Sequence, residues 1–258
     1  MGALSGRTVT HCVTARRSTG WRVERSTASP ATLLDEWPPD AGDDAPVLRA
    51  SRVDKRQALV LGSTQDLTKI DERRAADMGI DVIRRTTGGG AVLVAPDAQV
   101  WIDVWVPRAE ELWEDDVIGA AMWLGETWVV ALESLGVDSL SVHRGRATRG
   151  VLSDLVCFAG LGPGEVHLGA AGTHRAKVMG LAQRRTRRGA RFHTSAPLRW
   201  DPDPLLALLN VEGADDARRQ LEDAALGLRS LIPSLSDVTD VELIGVVEDA
   251  VIAALPAV

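Results

Sequence analysis

Arg84-Arg85-Thr86-Thr87-Gly88-Gly89-Gly90-Ala91-Val92 is the stretch on which the reading of this chain turns. Three consecutive glycines remove three Cβ atoms, so the backbone can bend sharply and a ligand can lie against it. Ile80 to Ile83 ahead of them alternates weakly and ends in two arginines, as a short strand does. Ala91 to Ala95 behind them is an apolar β-branched run, so the glycines lead into another strand. No G-x-x-x-x-G-K-[ST] is present and no helix opens at the last glycine, which excludes the common phosphate loops. The plainest reading is a tight hairpin with positive φ. Two arginines and two threonines directly ahead add anion-binding forks and hydroxyls, which suits a carboxylate or phosphate.

Outward from that loop, Gln57-Ala58-Leu59-Val60-Leu61 reads as a strand entering Gly62-Ser63-Thr64-Gln65. Asp71 to Gly79 reads as a short helix with an acidic start and a glycine stop. Val100, Ile102, Val104 and Val106 alternate with Trp101, Asp103 and Trp105 until Pro107. That strand carries an aliphatic face and a face with two tryptophans around a carboxylate. Spacings of three and four from Val117 to Leu135 predict a helix over 115–135, closed by Gly136. Residues 31–47 predict a short helix and an acidic turn. Residues 140–198 predict short strands with Gly-rich connections. Val238 to Leu255 predicts a helix capped by Thr239 or Asp240. The pattern predicts an α+β fold: one domain with a mixed, largely antiparallel sheet flanked by helices. Residues 1–30 form an extension leading into a strand near Trp21-Arg22-Val23, 31–200 the catalytic region, and 201–258 a helical C-terminal portion.

The chain of 258 residues has a net charge of −7, which argues against a general nucleic-acid binder. Its two cysteines, Cys12 and Cys157, form no disulfide or zinc pattern, and no metal ligand set is expected. No apolar run nears the ~18 residues of a membrane span, and a cytoplasmic setting is expected. Of 29 basic residues only Lys55, Lys69 and Lys177 are lysines, so each asks whether an amine is specifically needed. Lys177 opens Lys-Val-Met-Gly-Leu-Ala, an apolar glycine-containing setting, with His193 sixteen positions on. Arg184, Arg185, Arg187, Arg188 and Arg191 cluster around a turn. They read as a solvated tip or as a contact for nucleotide phosphate or an acidic partner.

Arg-Arg-x-[Ser/Thr]-Gly-Gly-Gly-Ala-Val followed by Lys-Val-x-Gly-x-Ala resembles the paired signatures of the lipoate–protein ligases, in the superfamily shared with biotin ligases and octanoyltransferases. The resemblance spans roughly 30–200. It implies that Arg85, Thr87, Gly88, Gly89, Gly90 and Ala91 surround an acyl-adenylate. It implies too that Lys177 contacts the acyl carboxylate and phosphate, with Gly180, His193, Gln65 and Glu165 in the substrate site. Glu165, in Gly164-Glu165-Val166, fits the place of the family's Asn-Asp-Leu by spacing better than Ser153-Asp154-Leu155 does. The family's His-Asp after the glycines is absent here, where Val94-Ala95-Pro96-Asp97 stands. Cys157-Phe158 resembles the nucleophile loop of one octanoyltransferase branch, although a cysteine in an apolar run is ordinarily core. The resemblance thus implies, first, a ligase using ATP and Mg²⁺ to join lipoate or octanoate to a lysine of a lipoyl-acceptor domain. Second comes a cofactor-free transferase with Cys157 as nucleophile; third, a non-catalytic acyl- or nucleotide-binding homologue. Neither nucleic acid nor membrane is an expected partner.

Overall fold

The computed structural model describes residues 15–16, 20–35, 45–169 and 175–258. Cys12, most of the N-terminal extension and the acidic turn expected after the first helix lie outside these residues.

Eight strands form the large sheet: β1 (Ala15–Arg16), β2 (Arg22–Ala28), β3 (Val47–Val53), β7 (Gln99–Pro107), β11 (Gly189–Pro197), β10 (Ala176–Arg185), β9 (Val166–Leu168) and β8 (Leu140–Val142), in that spatial order. All neighbours are antiparallel except β2 and β3. Parallel strands need a crossover, and α1 (Pro30–Asp35) lies on the one joining β2 to β3. The small sheet repeats the device. β4 (Ala58–Leu61) runs parallel to β5 (Asp81–Arg84), with α2 (Glu72–Asp77) between them in sequence, and antiparallel to β6 (Val92–Val94). Asp71 caps α2 by accepting from the Arg74 amide, and Gly79 leaves it at φ 69°. The order β5-β4-β6 corrects the hairpin expected at the glycines. The strands on either side of the triplet do not pair with each other; both pair with β4.

The period of two in β7 places its faces in different environments, and every residue of it is buried. Val100, Ile102, Val104 and Val106 pack with Leu124, Trp128, Ala131 and Leu132 of α3 (Met122–Ser134), and with Leu243, Ile244, Val247 and Val251 of α7 (Asp240–Ala253). On the opposite face Trp101 joins Leu33 of α1, Val60 and Val94, so the small sheet and α1 cover it. The C-terminal segment also supplies α4 (Asp203–Leu206), α5 (Ala214–Ala224) and α6 (Leu228–Leu231). Leu205, Leu208 and Leu221 from this segment pack with Leu59, Leu61 and Ile80 beside the small sheet. Burying each aliphatic side chain of α7 contributes ~1.5–3 kcal/mol, so four together outweigh the ~1 kcal/mol of its Thr239–Glu242 capping box.

One helix boundary differs from expectation. The regular helix begins at Met122, after a 3₁₀ turn at Gly119–Ala121, and not at Asp115. Asp116 accepts from the Gly119 amide at 2.7 Å and Glu114 accepts from the Asp116 amide at 3.1 Å. These local side-chain bonds compete with helical hydrogen bonding, and Val117 is left exposed.

Candidate active site

The glycine loop is held by three segments that meet. The Ser63 amide donates to Thr87 O at 2.9 Å, and a Cβ on Gly62 would overlap the Gly89 carbonyl oxygen. Gly89 takes φ 101°, where an L side chain is strained. A Cβ on Gly90 would stand 2.6 Å from the Val156 nitrogen. That closeness lets the Ala91 amide donate to Leu155 O at 2.8 Å and the Cys157 amide to Ala91 O at 3.0 Å. Gln65 crosses the junction, accepting from the Gly62 amide at 3.2 Å and donating to Leu155 O at 2.9 Å. Gln65 and Ala91 therefore act on the backbone around the cysteine.

The arginines of the loop are not free forks. Arg84 donates to Gly62 O at 2.7 Å; buried Arg85 donates to Gly88 O at 2.7 Å and to Gly90 O at 3.0 Å. Arg85 also places Nη2 3.8 Å from Cys157 Sγ. A bent loop turns several carbonyls inward, and the guanidiniums answer them. The Thr87 hydroxyl is buried and has no hydrogen-bond partner among the described residues.

Lys177 sits near the start of β10 and is 1 % exposed. Its ammonium lies 2.7 Å from Glu165 Oε2, donates to Cys157 O at 2.7 Å, and stands 5.2 Å from the Phe158 ring centroid. Glu165, itself buried, accepts from the Gly162 amide at 2.6 Å and from the Leu181 amide at 3.1 Å. Of the two segments weighed for this place, only Glu165 reaches the lysine; Ser153, Asp154 and Leu155 line the cavity beside it.

Two cavities meet here. The more polar of the two, of about 570 Å³, is lined by Gly88, Gly89, Gly90, Gln65, Glu165 and Lys177, among others. A narrow apolar slot of about 70 Å³ is lined by Leu34, Val60, Val94, Trp101, Phe158 and Gly180, with Arg85 and His193. Cys157, Leu181 and Ala182 belong to both walls. Gly180 lines the slot, where a Cβ would stand in ordinary contact with Phe158 at 3.5 Å and Glu165 at 3.6 Å.

His193 enters the slot from β11, and its Nδ1 contacts Asp103 Oδ1 from the facing residue of β7. Arg191, one of the supposed surface arginines, is instead buried. It donates to Leu33 O at 2.9 Å and Leu34 O at 2.8 Å, pinning the end of α1 over the slot, and lies 3.5 Å from Asp103. Arg185 of the same cluster donates to Glu114 O and Asp115 O and stacks on Trp113 at 4.1 Å. Burial pushes the Asp103 carboxyl up, but His193, Arg191 and Arg49 outweigh it and hold the group below its ordinary 3.8. A depressed carboxyl stabilises the fold above its unfolded pKa, and the stability is lost as pH falls through the folded pKa. Asp103→Asn is therefore expected to cost stability at pH 7, by ~3–5 kcal/mol if the cations around it are left unpaired. The gap should narrow in denaturant titrations as the pH drops below 3.8; a constant gap would separate Asp103 from this network.

Sequence reasoning left Asp103 as a carboxylate between tryptophans and gave Lys69 no role, although Lys69 lines the polar cavity. The scarcity of lysine was the available signal. Among the described residues no three His, Cys, Asp or Glu side chains are grouped to hold a metal ion, and no helix is long and apolar enough to cross a membrane. Mg²⁺ ordinarily needs only one or two carboxylates beside substrate phosphates, and Asp66 and Asp154 line the cavity.

Comparison with known families matches residues 28–255 to the lipoyl protein ligase A/B catalytic domain. Among solved structures, a bipartite lipoate protein ligase studied with its E2 lipoyl domain from Thermoplasma acidophilum is 22 % identical, with a TM-score of 0.60 over 87 % of this chain and 74 % of that one. A lipoate protein ligase structure from the same organism with bound lipoic acid is 21 % identical, with a TM-score of 0.63 over 91 % and 83 %. A lipoate-protein ligase A bound with ATP is 23 % identical, with a TM-score of 0.56 over 87 % and 75 %. At these identities the likeness is one of fold. The comparison with curated proteins returned no match.

Proposed function

From the premise that this chain belongs to the lipoyl protein ligase A/B catalytic-domain family, we propose that it attaches a lipoyl or octanoyl group to a lysine of an acceptor lipoyl domain. The observation that carries this reading is the shared wall of Cys157, Leu181 and Ala182 between an apolar slot and a polar cavity, with Lys177 beside it. The slot accepts the saturated chain. The carbonyl end lies at Lys177, and the polar cavity admits the activating group and then the acceptor lysine.

Two routes of activation fit that layout. In the ligase route the acid's carboxylate oxygen attacks the α-phosphorus of ATP and pyrophosphate leaves. The acceptor amine then attacks the carbonyl carbon, releasing AMP and a proton. The glycine loop and the room of the polar cavity support it, as does the ATP complex of the lipoate-protein ligase A of like fold. In the transferase route the Cys157 thiolate displaces the donor's thiol, forming a thioester, and the acceptor amine then displaces Cys157. The position of Cys157 in both walls, with its amide fixed by Ala91 O, favours this second route specifically. We place it first.

The intact mass of an acceptor domain tests the function. Incubated with this protein and an octanoylated carrier, the domain should gain one octanoyl group without ATP. Gain only from octanoate plus ATP would restore the ligase route. No gain with either donor would leave a non-catalytic binding homologue.

A further inference from the structure

The residues lining the polar cavity divide by exposure. Lys177 and Glu165 are buried at its inner end, whereas Asp66, Lys69, Arg149 and Asp154 are exposed and mark its mouth. The four exposed residues come from two turns, 66–69 and 148–154, and both turns are tied. In the first, Asp66 accepts from the Thr68 amide at 2.9 Å, while Asn210 donates to Thr68 O at 3.0 Å and to Lys69 O at 2.8 Å. In the second, Thr148 and Leu161 exchange backbone bonds at 2.8 and 3.1 Å, and Ser153 Oγ accepts from the Gly150 amide at 2.7 Å. The Gln65 bond to Leu155 O joins one turn to the other. Beside each turn one apolar side chain goes inward and another outward. Ile70 and Leu152 are buried beside the small sheet, while Leu67 is 44 % exposed and Val151 85 %. Apolar side chains scattered singly over a surface are ordinary. Here two of the six large ones exposed among the described residues stand on the turns that make one mouth, and Val151 is the most exposed of the six.

We propose that Leu67 and Val151 are docking anchors for the acceptor domain, covered by the apolar side chains beside its target lysine. This rests on the function proposed above but on neither activation route. Whether the acyl group waits on an adenylate or on Cys157, the acceptor amine must come down this cavity. Leu67 and Val151 do not line the cavity themselves. A small donor held inside it leaves both uncovered, and a macromolecule at the mouth reaches them. An entering lysine brings positive charge, and Asp66 and Asp154, one from each turn, meet it with carboxylates. Hydrogen bonds from Thr68 hold the Asp66 carboxyl below its ordinary 3.8, so it is ionised at neutral pH. Lys69 and Arg149 stand beside these acids, and the apolar anchors thus sit within a polar margin, as they do in protein interfaces.

Steady-state kinetics on the full chain test the docking, with the octanoyl thioester of N-acetylcysteamine or octanoate plus ATP as the small donor. In Leu67→Ser combined with Val151→Ser, kcat/KM for an acceptor lipoyl domain should fall about tenfold or more. The loss should lie in KM, with kcat at saturating acceptor unchanged. Octanoyl hydroxamate formation from hydroxylamine, an amine too small to dock, should match the wild type. Leu67→Met combined with Val151→Ile should keep the wild-type kcat/KM, because the anchors stay apolar. An unchanged kcat/KM in the serine variant would overturn the docking and leave the function standing. An equal loss with hydroxylamine would overturn it too, since the substitutions would then disturb the site itself. A serine variant slowed only in accepting octanoyl from a carrier protein would give the mouth to the donor and end the acceptor assignment. A wild-type protein that modifies no acceptor with any donor would remove the proposed function, and the docking with it.

Discussion

Lys177→Ala is expected to abolish acyl transfer and to lower the melting temperature as well. The first effect follows from losing the ammonium that the proposed acyl placement sets beside the carbonyl, in a residue that lines the cavity. The second is not visible in the sequence, where a lysine opening a strand is removed without harm to the fold. In the structure its removal strands Glu165, a buried carboxylate 2.7 Å from the ammonium. Breaking a buried pair by deleting one partner costs ~3–5 kcal/mol, roughly 6–20 °C for a domain of this size. The single variant therefore confounds chemistry with unfolding. Lys177→Ala combined with Glu165→Gln should recover much of the stability and none of the transfer. Lys177→Arg should also fail, because the planar fork does not fit between Glu165 and Cys157 O. Thermal unfolding beside the transfer assay reads both effects, and an active Lys177→Ala protein would remove the lysine from the mechanism.

The legible parts of this chain were those whose signal is local. The alternation of β7, the Asp71 and Thr239 caps and the glycine after α2 are each set by neighbours in sequence. The glycine loop announced a special backbone, but its partners lie elsewhere. Gly90 meets Val156, Gly62 meets Gly89, and β5 and β6 are parted by β4. Strand order depends on contacts far apart in the chain, so the run of Gly88 to Gly90 reads equally well as a hairpin. The arginines misled for a related reason. A guanidinium answers inward-facing carbonyls as readily as a ligand, and only the fold shows that Arg85 and Arg191 do so. Lys177 was legible through composition, whereas its counter-ion was found only by spacing to a family pattern. That Glu165 neutralises the lysine, and does not simply touch substrate, needed the 2.7 Å contact.

Cys157→Ser carries the other large effect. Wild-type protein incubated with an octanoyl thioester should gain one octanoyl unit, labile to hydroxylamine, and should keep it in a Cys12→Ser background. Cys157→Ser should lose the adduct and the transfer together, since a hydroxyl needs a dedicated base to attack at neutral pH and a thiolate does not. The substitution is close to isosteric. The backbone there is fixed by the Cys157 amide on Ala91 O and by Lys177 on Cys157 O, and neither bond involves the sulfur. The loss would therefore be chemical, and an unchanged melting curve would certify it. Arg85 Nη2 lies 3.8 Å from Sγ, the one side-chain contact to the sulfur among the bonds described above. The ligase route forecasts the reverse: no adduct, a nearly silent Cys157→Ser, and ATP–pyrophosphate exchange that depends on lipoate or octanoate. The sulfur lies where the slot and the cavity share a wall. A silent substitution there would make the thiol mere packing and return the high-energy bond to an acyl phosphate.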